Sequence, residues 1–238
     1  MKKDILIKRG TPEWDILFRN PKKRLMAVSY DINNLNEIHF SGELGALEDP
    51  KRKRIAIIGS RDIPYHTREY IRRIVEAISA IGSDTGTVPP VIISGLAVGT
   101  DTAVHIDCLS YGLPNIAVLP TGTGRIYPSK NTELANKIRT APGSGLLSQF
   151  DDKEAPTSLN FIIRHNTMAL MSDAVIVMAS KKTGGSLAMA RIANQMDIPV
   201  YAVPGRPDDT WSAGTNKLIR EGLARILTDT EELKNLLV

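Results

Sequence analysis

The sequence predicts an α/β protein with a mostly parallel sheet that is covered by helices on both faces. Three observations support this fold class. Short apolar runs alternate with segments whose apolar residues recur at helical spacing. The apolar runs lack the polar alternation of a half-exposed strand, which is typical of parallel strands buried on both sides. Glycine, proline and hydroxyl residues separate the elements and mark the turns between them.

Residues 1–50 are predicted to form an N-terminal leader that packs on a main domain comprising residues 51–238. The leader contains no long periodic segment, and residues 38–40 are its candidate strand. The basic run at residues 51–54 is expected to be a solvated approach to the first strong strand.

The main domain alternates between predicted strands and helices. Strands are expected at residues 55–58, 91–93, 116–119, 145–148, 174–178 and 199–203. Helices are expected at residues 67–81, 100–111, 132–139, 159–171, 184–195 and 215–221, with a last helix in the tail after a threonine cap at Thr228. Ligands of such sheets bind beyond the carboxyl ends of the strands, so the residues that follow each strand are the candidate site.

Composition excludes several classes of protein. The chain has 238 residues, of which 42% are hydrophobic, and this is enough for a full core. Its one cysteine, Cys108, excludes an internal disulfide and a cysteine-based zinc site, and it is expected to be a core residue. The four histidines share no ligand spacing, so we expect no metal and no cofactor. No apolar run suits a membrane span or a secretory signal, which favours the cytoplasm.

Small, hydroxyl and basic side chains recur after the predicted strands. The candidate ligand-binding residues are Gly59, Ser60, Arg61, Ser94, Gly95, Gly122, Thr123, Arg125, Lys130, Arg164, Asn166, Gly184, Gly185 and Ser186. Glycine lets backbone approach an anion, helix N-termini add partial positive charge, and arginine donates in a fork that suits phosphate oxygens. The sequence therefore predicts a phosphate-rich ligand, although the net charge of +4 is mild.

Two common phosphate-binding motifs are absent from the sequence. The loop after the first main-domain strand reads GSRDIP, which does not match the GxGxxG of dinucleotide enzymes. The GxxxxGK[ST] motif of P-loop ATPases does not occur either. Both enzyme classes are therefore disfavoured.

Several of these segments, taken together, resemble the DprA/Smf family of DNA-processing proteins. They are IAIIGSR, IISGLAVGTDTAVH, IAVLPTGTGRIYPSKN, TGGSLAMARIA and VYAVPG, in order over residues 55–227. The resemblance implies an extended Rossmann-like fold, binding of single-stranded DNA without sequence preference, homodimers, and loading of a RecA-type recombinase during natural transformation. It implies no chemical reaction, so we expect a binding protein rather than an enzyme.

The chain departs from this family's pattern at three places. Val98 stands where the family usually has a basic residue, which removes one expected phosphate contact. Ile162 and Ile163 precede Arg164, and His165 separates it from Asn166, where the family often reads FPxRN. Only eleven residues follow Leu227, so we expect no appended winged helix.

Individual residues near the site receive separate interpretations. Arg61 follows a buried strand directly and is expected at the pocket floor as a phosphate contact. Asp101 is interpreted as the cap of the following helix, and His105 as a half-buried, hydrogen-bonded histidine. Lys181 and Lys182 flank the predicted helix start at Gly184, and one of them is a candidate DNA contact. Aromatic residues are only 5% of the chain, so recognition should depend on the phosphate backbone, with little base specificity and strong salt dependence.

Two other functions stay open. One is a nucleotide-binding or nucleotide-cleaving protein similar to the phosphoribohydrolases called LOG proteins, which carry GGxGTxxE at a helix start. The corresponding helix here reads GGSLAMAR, with Met189 and Arg191 in place of the glutamate, and this disfavours hydrolysis. The other is an interaction module whose pocket is vestigial.

Overall fold

The computed structural model describes residues 3–19, 35–85 and 88–234. The strands are β1 (Lys3–Lys8), β2 (Glu37–Gly42), β3 (Arg54–Ile58), β4 (Val91–Ser94), β5 (Asn115–Val118), β6 (Gly145–Ser148), β7 (Ala174–Val177), β8 (Val200–Ala202) and β9 (Arg225–Ile226). The α-helices are α1 (Pro12–Leu17), α2 (Gly45–Glu48), α3 (Tyr65–Thr85), α4 (Thr100–Ser110), α5 (Thr132–Thr140), α6 (Ser158–Met171), α7 (Gly185–Gln195) and α8 (Ala213–Arg220).

All nine strands of the described residues join one sheet in the order β1-β2-β6-β5-β4-β3-β7-β8-β9. The pairings from β6 through to β9 are parallel, whereas β1–β2 and β2–β6 are antiparallel. The predicted mostly parallel sheet is therefore confirmed. The chain builds the sheet outward from β3 in both directions, so the strand order reverses between β3 and β7.

The core lies on both faces of this sheet. Alternate residues of β3 point to opposite sides, because side chains alternate along a strand. Ile55 and Ile57 belong to the cluster that α3 and α4 cover, which includes the fully buried Cys108. Ala56 and Ile58 belong to the opposite cluster, which α6 and α7 cover. The predicted helices on both faces and the predicted core position of Cys108 are confirmed.

The described part of the leader contributes two strands and two helices, of which the sequence predicted one strand. The candidate strand at residues 38–40 lies within β2 and is confirmed. β1, α1 and α2 were missed; β1 pairs with β2 in register from Lys3 opposite Gly42 to Lys8 opposite Glu37. The boundary between leader and main domain near residue 50 stays a prediction.

Arg54 corrects the interpretation of the basic run at residues 51–54. Its side chain is only 2% exposed, because it reaches from β3 beneath the leader. The guanidinium donates to the backbone oxygens of Leu17 at 2.9 Å, Ile16 at 2.6 Å and Leu47 at 2.9 Å. Burial lowers the pKa of Arg54 to about 10. The run is therefore not solvated throughout, and its last residue ties α1 and α2 to the sheet.

The C-terminal part differs from the expectation in two respects. Residues Arg225–Ile226 form β9, which was not predicted, and it pairs with β8. The described tail forms a 3₁₀ turn at Thr230–Leu233 that Asp229 caps, rather than an α-helix capped by Thr228. The last four residues of that predicted helix lie outside the described part of the chain. Within the described residues, no helix has both the length and the apolar character needed to cross a membrane.

Candidate nucleic-acid interface

The main pocket opens at the carboxyl ends of β3 and β7 and has a volume of about 430 Å³. Four segments line it: the loop after β3, the loop after β4 with the first turn of α4, the inner face of α6, and the loop after β7 with the first turn of α7. This is the point where the strand order reverses, which is where open α/β sheets bind their ligands. The fold therefore brings the exits of two strands that are far apart in sequence to one cavity.

Gly59 allows the loop after β3 to turn into this position. A Cβ atom at residue 59 would lie 2.4 Å from the Oγ1 of Thr100 and 3.0 Å from the oxygen of Ala179. The loop is further fixed by the Ser60 amide, which donates to Ala179 at 2.9 Å. A side chain at residue 59 would push the β3 loop away from α4 and from the β7 exit.

Two arginines share one aromatic ring in the main pocket. The guanidinium carbons of Arg61 and Arg164 lie 5.1 Å and 5.2 Å from the ring centre of Phe161. Arg164 is buried and donates to the Gly95 oxygen at 2.9 Å, whereas Arg61 is exposed and stands at the rim rather than on the floor. Burial lowers the pKa of Arg164, and the charge of Arg61 lowers it further. Two neighbouring cations of this kind favour an anion between them.

His165 lines the same cavity and has a buried ring N–H. A guanidinium can only donate, so the contact of 3.3 Å with Arg164 makes Nε2 of His165 the acceptor and leaves the proton on Nδ1. This buried Nδ1 has no hydrogen-bond partner among the described residues. Burial first, and then the charges of Arg164 and Arg61, lower the pKa of His165 to about 3. The imidazole is therefore neutral, with an unused N–H donor.

The first turn of α7 supplies backbone donors. Gly184 is its N-cap and has no side chain to accept from the first amides, while Gly185 and Ser186 begin the helix at the pocket wall. The leading amides of an α-helix have no partner within the helix, and its dipole adds positive potential there. An uncapped helix N-terminus of this kind is suited to a phosphate.

Two acids lie in the pocket and limit its positive charge. Asp62 is exposed at the rim and pairs with Lys181 at 3.3 Å. Asp101 is buried beside Arg164, and its Oδ2 accepts from the Ala97 amide at 3.2 Å. The interpretation of Asp101 as a helix cap is wrong, because Gly99 is the N-cap of α4. Burial raises the pKa of Asp101, and the charge of Arg164 offsets part of that rise.

Half of the candidate residues converge on the main pocket. They are Gly59, Ser60, Arg61, Arg164, Gly184, Gly185 and Ser186. Ser94 lies beneath the pocket, where its hydroxyl donates to the Ile57 oxygen at 2.7 Å. Gly95 lies beside it and accepts from Arg164. Asn166 is buried on α6 outside the lining.

The loop after β5 lies outside the main pocket. Its concave side holds the chain's own carboxylate, since the Gly124 amide donates to Oδ1 of Asp152 at 2.7 Å. A Cβ atom on Gly122 would lie 2.1 Å from the same oxygen. The Thr123 oxygen accepts from Arg139. Arg125 and Lys130 are exposed, and Arg125 donates to the Lys153 oxygen at 3.3 Å.

A small side pocket of about 120 Å³ extends the main pocket along Phe161. It shares Arg61, Arg164 and Phe161 with the main pocket and adds Val98 and Tyr127. The ring centres of Tyr127 and Phe161 are 5.9 Å apart in an edge-to-face arrangement. The two cavities form one groove in which a ligand longer than one phosphate group can lie.

The structure also gives the positions of His105, Met189 and Arg191, which the sequence analysis singled out. His105 is fully buried rather than half-buried; its Nδ1 lies 2.8 Å from the Asn115 side-chain oxygen, and burial lowers its pKa to about 4. Met189 lines the main pocket, and Arg191 instead forms an ion pair of 3.5 Å with Glu221. No cluster of three or more metal-binding side chains occurs in the described ranges.

The family described as DNA recombination-mediator protein A matches residues 36–237. The chain belongs to this family. The DprA family is thus established over most of the chain, in agreement with the resemblance carried by the sequence motifs.

Curated relatives of the DprA family cover a similar part of the chain. Protein Smf of Synechocystis sp. is 33% identical over 182 residues, which cover 76% of this chain and 44% of that protein. DNA processing protein DprA of Streptococcus pneumoniae is 31% identical over 196 residues, which cover 82% of this chain and 64% of that protein. The chain therefore spans about half to two thirds of the length of these relatives.

Solved DprA structures share the fold. The crystal structure of DprA from Streptococcus pneumoniae superposes with a TM-score of 0.80 at 27% identity, covering 97% of this chain and 73% of that one. A structure of DprA from Helicobacter pylori, described for its mode of binding single-stranded DNA, has a TM-score of 0.76 at 23% identity, covering 100% and 95%. The Rossmann-like fold class is confirmed.

Proposed function

We propose that this protein binds single-stranded DNA without sequence preference and holds the strand's phosphates in the main pocket. We further propose that it acts as a homodimer in the cytoplasm and loads a RecA-type recombinase during natural transformation. The observation that carries the DNA-binding proposal is the convergence of two guanidinium groups and an uncapped helix N-terminus at the point where the strand order reverses.

The shape of the site favours a polymer over a single small anion. The groove runs past Phe161 into the side pocket, so Arg61 has access to both cavities. The donors in the groove are charged groups and backbone amides, which suit phosphate oxygens and do not distinguish bases. If about four phosphates are neutralised, the log–log salt slope should be about −3.

The same residues support binding rather than bond cleavage. The pocket contains Met189 near the position where LOG-type hydrolases carry glutamate, and a thioether supplies no proton. His165 is neutral and donates, so it is suited to hold an anion. The Helicobacter pylori relative is described as a single-stranded DNA-binding protein, and the matched family is described by recombination mediation.

Arg61→Ala is expected to weaken binding of every single-stranded oligonucleotide by about 10- to 100-fold, which corresponds to one lost charge-assisted contact. The salt slope should decrease in magnitude by about 0.7. Fluorescence anisotropy with mixed-sequence 20-mers across a salt series measures both quantities. Recombinase loading is tested separately, by filament assembly on single strands with and without the protein.

Two variants control for the change in charge. Arg73→Ala removes the same charge from an exposed position on α3 and should leave the affinity within twofold. Asp62→Asn removes the acid that pairs with Lys181 and should strengthen binding. Folded wild-type protein that binds no single strand at low salt would refute the proposal, and so would equal losses for Arg61→Ala and Arg73→Ala.

Gly95→Ala is expected to weaken strand binding about tenfold without unfolding the protein. A Cβ atom at residue 95 would lie 2.8 Å from Oδ2 of Asp101 and 2.9 Å from the guanidinium of Arg164, so Arg164 must move. Gly45→Ala is the matched control, because its Cβ atom would meet only an ordinary contact of 3.5 Å with Glu43. Unchanged affinity in Gly95→Ala would show that the position of Arg164 is not required.

A further inference from the structure

A second cavity of about 570 Å³ opens at the same edge of the sheet, beside the exits of β7 and β8. Met178 follows β7, and Val203 and Pro204 follow β8; Tyr70 of α3 and Leu227 complete an apolar wall. The volume and the apolar lining are those of a site for a small organic group. None of the candidate residues identified from the sequence lies in this cavity.

A carboxylate held by two hydrogen bonds lies in the second cavity, whose lining also includes His66 and Arg206. Asp209 accepts from the Trp211 amide at 3.1 Å through Oδ1 and from the Ser212 hydroxyl at 2.5 Å through Oδ2. The hydrogen bond from Ser212 lowers the pKa of Asp209, so the group is ionised. A carboxylate has about four acceptor positions, so each oxygen can accept a further hydrogen bond. The neighbouring Arg206 pairs with Asp208 at 3.4 Å.

The second cavity lies near the main pocket at the same edge of the sheet, although no residue lines both. Arg61 and Asp62 line the main pocket, and four residues later His66 lines the second cavity. On the other side, Lys181 of the main pocket lies 5.9 Å from the ring centre of Trp211, whose amide holds Asp209. A strand held at Lys181 would therefore pass next to the segment that carries Asp209.

The chemistry of the cavity selects among the parts of a nucleotide. The apolar wall and the ionised Asp209 disfavour a phosphate, and the arginine of the lining, Arg206, is already paired with Asp208. The part of a nucleotide that suits the cavity is therefore flat and apolar and donates hydrogen bonds. The amino groups of cytosine, adenine and guanine meet this requirement. Thymine does not, because carbonyl oxygens flank its single N–H and would face the carboxylate.

We propose that the second cavity binds a nucleobase with an exocyclic amino group, and that this base belongs to the strand whose phosphates lie in the main pocket. This inference rests on the proposed function. It adds a modest base preference to a binding mode otherwise governed by the phosphate backbone. The preference arises from one carboxylate, so it should be a few-fold in affinity.

The test compares oligo-dT with an oligo-dT of equal length in which every third base is dC or dA. Wild-type protein should bind the amino-containing strand at least threefold more tightly in anisotropy measurements. Asp209→Asn replaces an acceptor with a donor and should abolish this ratio while leaving the affinity for oligo-dT within twofold. Asp208→Asn, which changes the exposed neighbouring acid, should preserve the ratio.

A second variant tests the cavity without altering the carboxylate. Thr228 is exposed at its opening, and Thr228→Tyr places a ring there, which should also reduce the ratio to about one. Equal affinity of the wild-type protein for the two strands would overturn the proposal, as would a ratio that persists in both variants.

Calorimetric titration of the protein with free dCMP and dAMP distinguishes a base that belongs to a strand from a free mononucleotide. Binding of the free nucleotide that depends on Asp209, without any preference among strands, would assign the cavity to a mononucleotide and overturn the strand assignment. Failure of the proposed function looks different, because the wild-type protein would then bind neither strand. In that case, calorimetry with the free nucleotides tests the second cavity by itself. Nucleotide binding that depends on Asp209 supports a nucleobase in the cavity, and the absence of such binding overturns that assignment.

Discussion

Arg54→Ala is expected to lower the free energy of unfolding by about 3–5 kcal/mol, because each buried carbonyl left without a donor costs about 1–3 kcal/mol. The side chain is only 2% exposed and donates to the backbone oxygens of Ile16, Leu17 and Leu47. These acceptors belong to α1 and the end of α2. Removing the guanidinium thus leaves both leader helices without their polar attachment to β3. Urea unfolding followed by circular dichroism measures the loss.

Two variants separate the hydrogen bonds of Arg54 from its charge. Lys51→Ala removes an exposed charge three residues earlier and should change the free energy of unfolding by less than about 0.5 kcal/mol. Arg54→Lys keeps the charge, but a single ammonium group does not reproduce the planar fork that reaches three carbonyls, so most of the loss should remain. A loss below about 1 kcal/mol in Arg54→Ala would contradict this account.

Strands that are buried on both faces were the elements best predicted from the sequence. The strands that became β3 to β7 were predicted because both of their faces are covered, so their apolar runs are nearly continuous. The edge strand β1 was missed because its sequence, KDILIK, offers one short apolar run between charges. The buried state of Arg54 was not predictable, since its three acceptors come from leader segments that only the fold brings together.

The candidate site was predicted as a set of strand exits, without the order of the strands. Parallel strands place all their carboxyl ends at one edge, but only β3 and β7 are neighbours at the point where the order reverses. The exit of β5 is two strands away from β3, so Gly122 and Arg125 lie outside the main pocket. Asp152, which fills the concave side of that loop, gave no signal in the sequence because it contacts Gly124 from 28 residues away.

Acidification from pH 6.5 to pH 4.5 is expected to remove about 4–5 kcal/mol of stability through two buried histidines, and the raised pKa of Asp101 opposes part of this loss. His105 and His165 have pKa values lowered to about 4 and about 3 by burial, so both are neutral in the folded protein over this range. Each takes up a proton in the unfolded chain below about pH 6.5, so the unfolded state binds more protons. The stability that the two neutral histidines contribute is complete above pH 6.5. Below that pH it falls by about 1.4 kcal/mol per pH unit for each histidine. The loss ends near pH 4 for His105 and near pH 3 for His165.

Urea unfolding at half-unit intervals of pH measures this slope. His105→Gln keeps a partner for Asn115 and should reduce the slope by about one proton. Cys108→Ala, a buried change on the same helix, should destabilise the protein without changing the slope. A slope that is identical in wild type and His105→Gln would contradict the assignment.

A bound strand should change the pKa of His165 but not that of His105. A phosphate in the main pocket offsets the positive charges of Arg164 and Arg61, so it should raise the pKa of His165 in the complex. His105 is buried on α4 beyond the pocket and is not affected. Saturation with an oligonucleotide should therefore reduce the pH dependence of the wild-type free energy of unfolding below pH 6.5 by the equivalent of up to one proton. The same should hold in His105→Gln. In Arg61→Ala the change should be smaller, because one of the two charges acting on His165 is absent and the strand is bound more weakly.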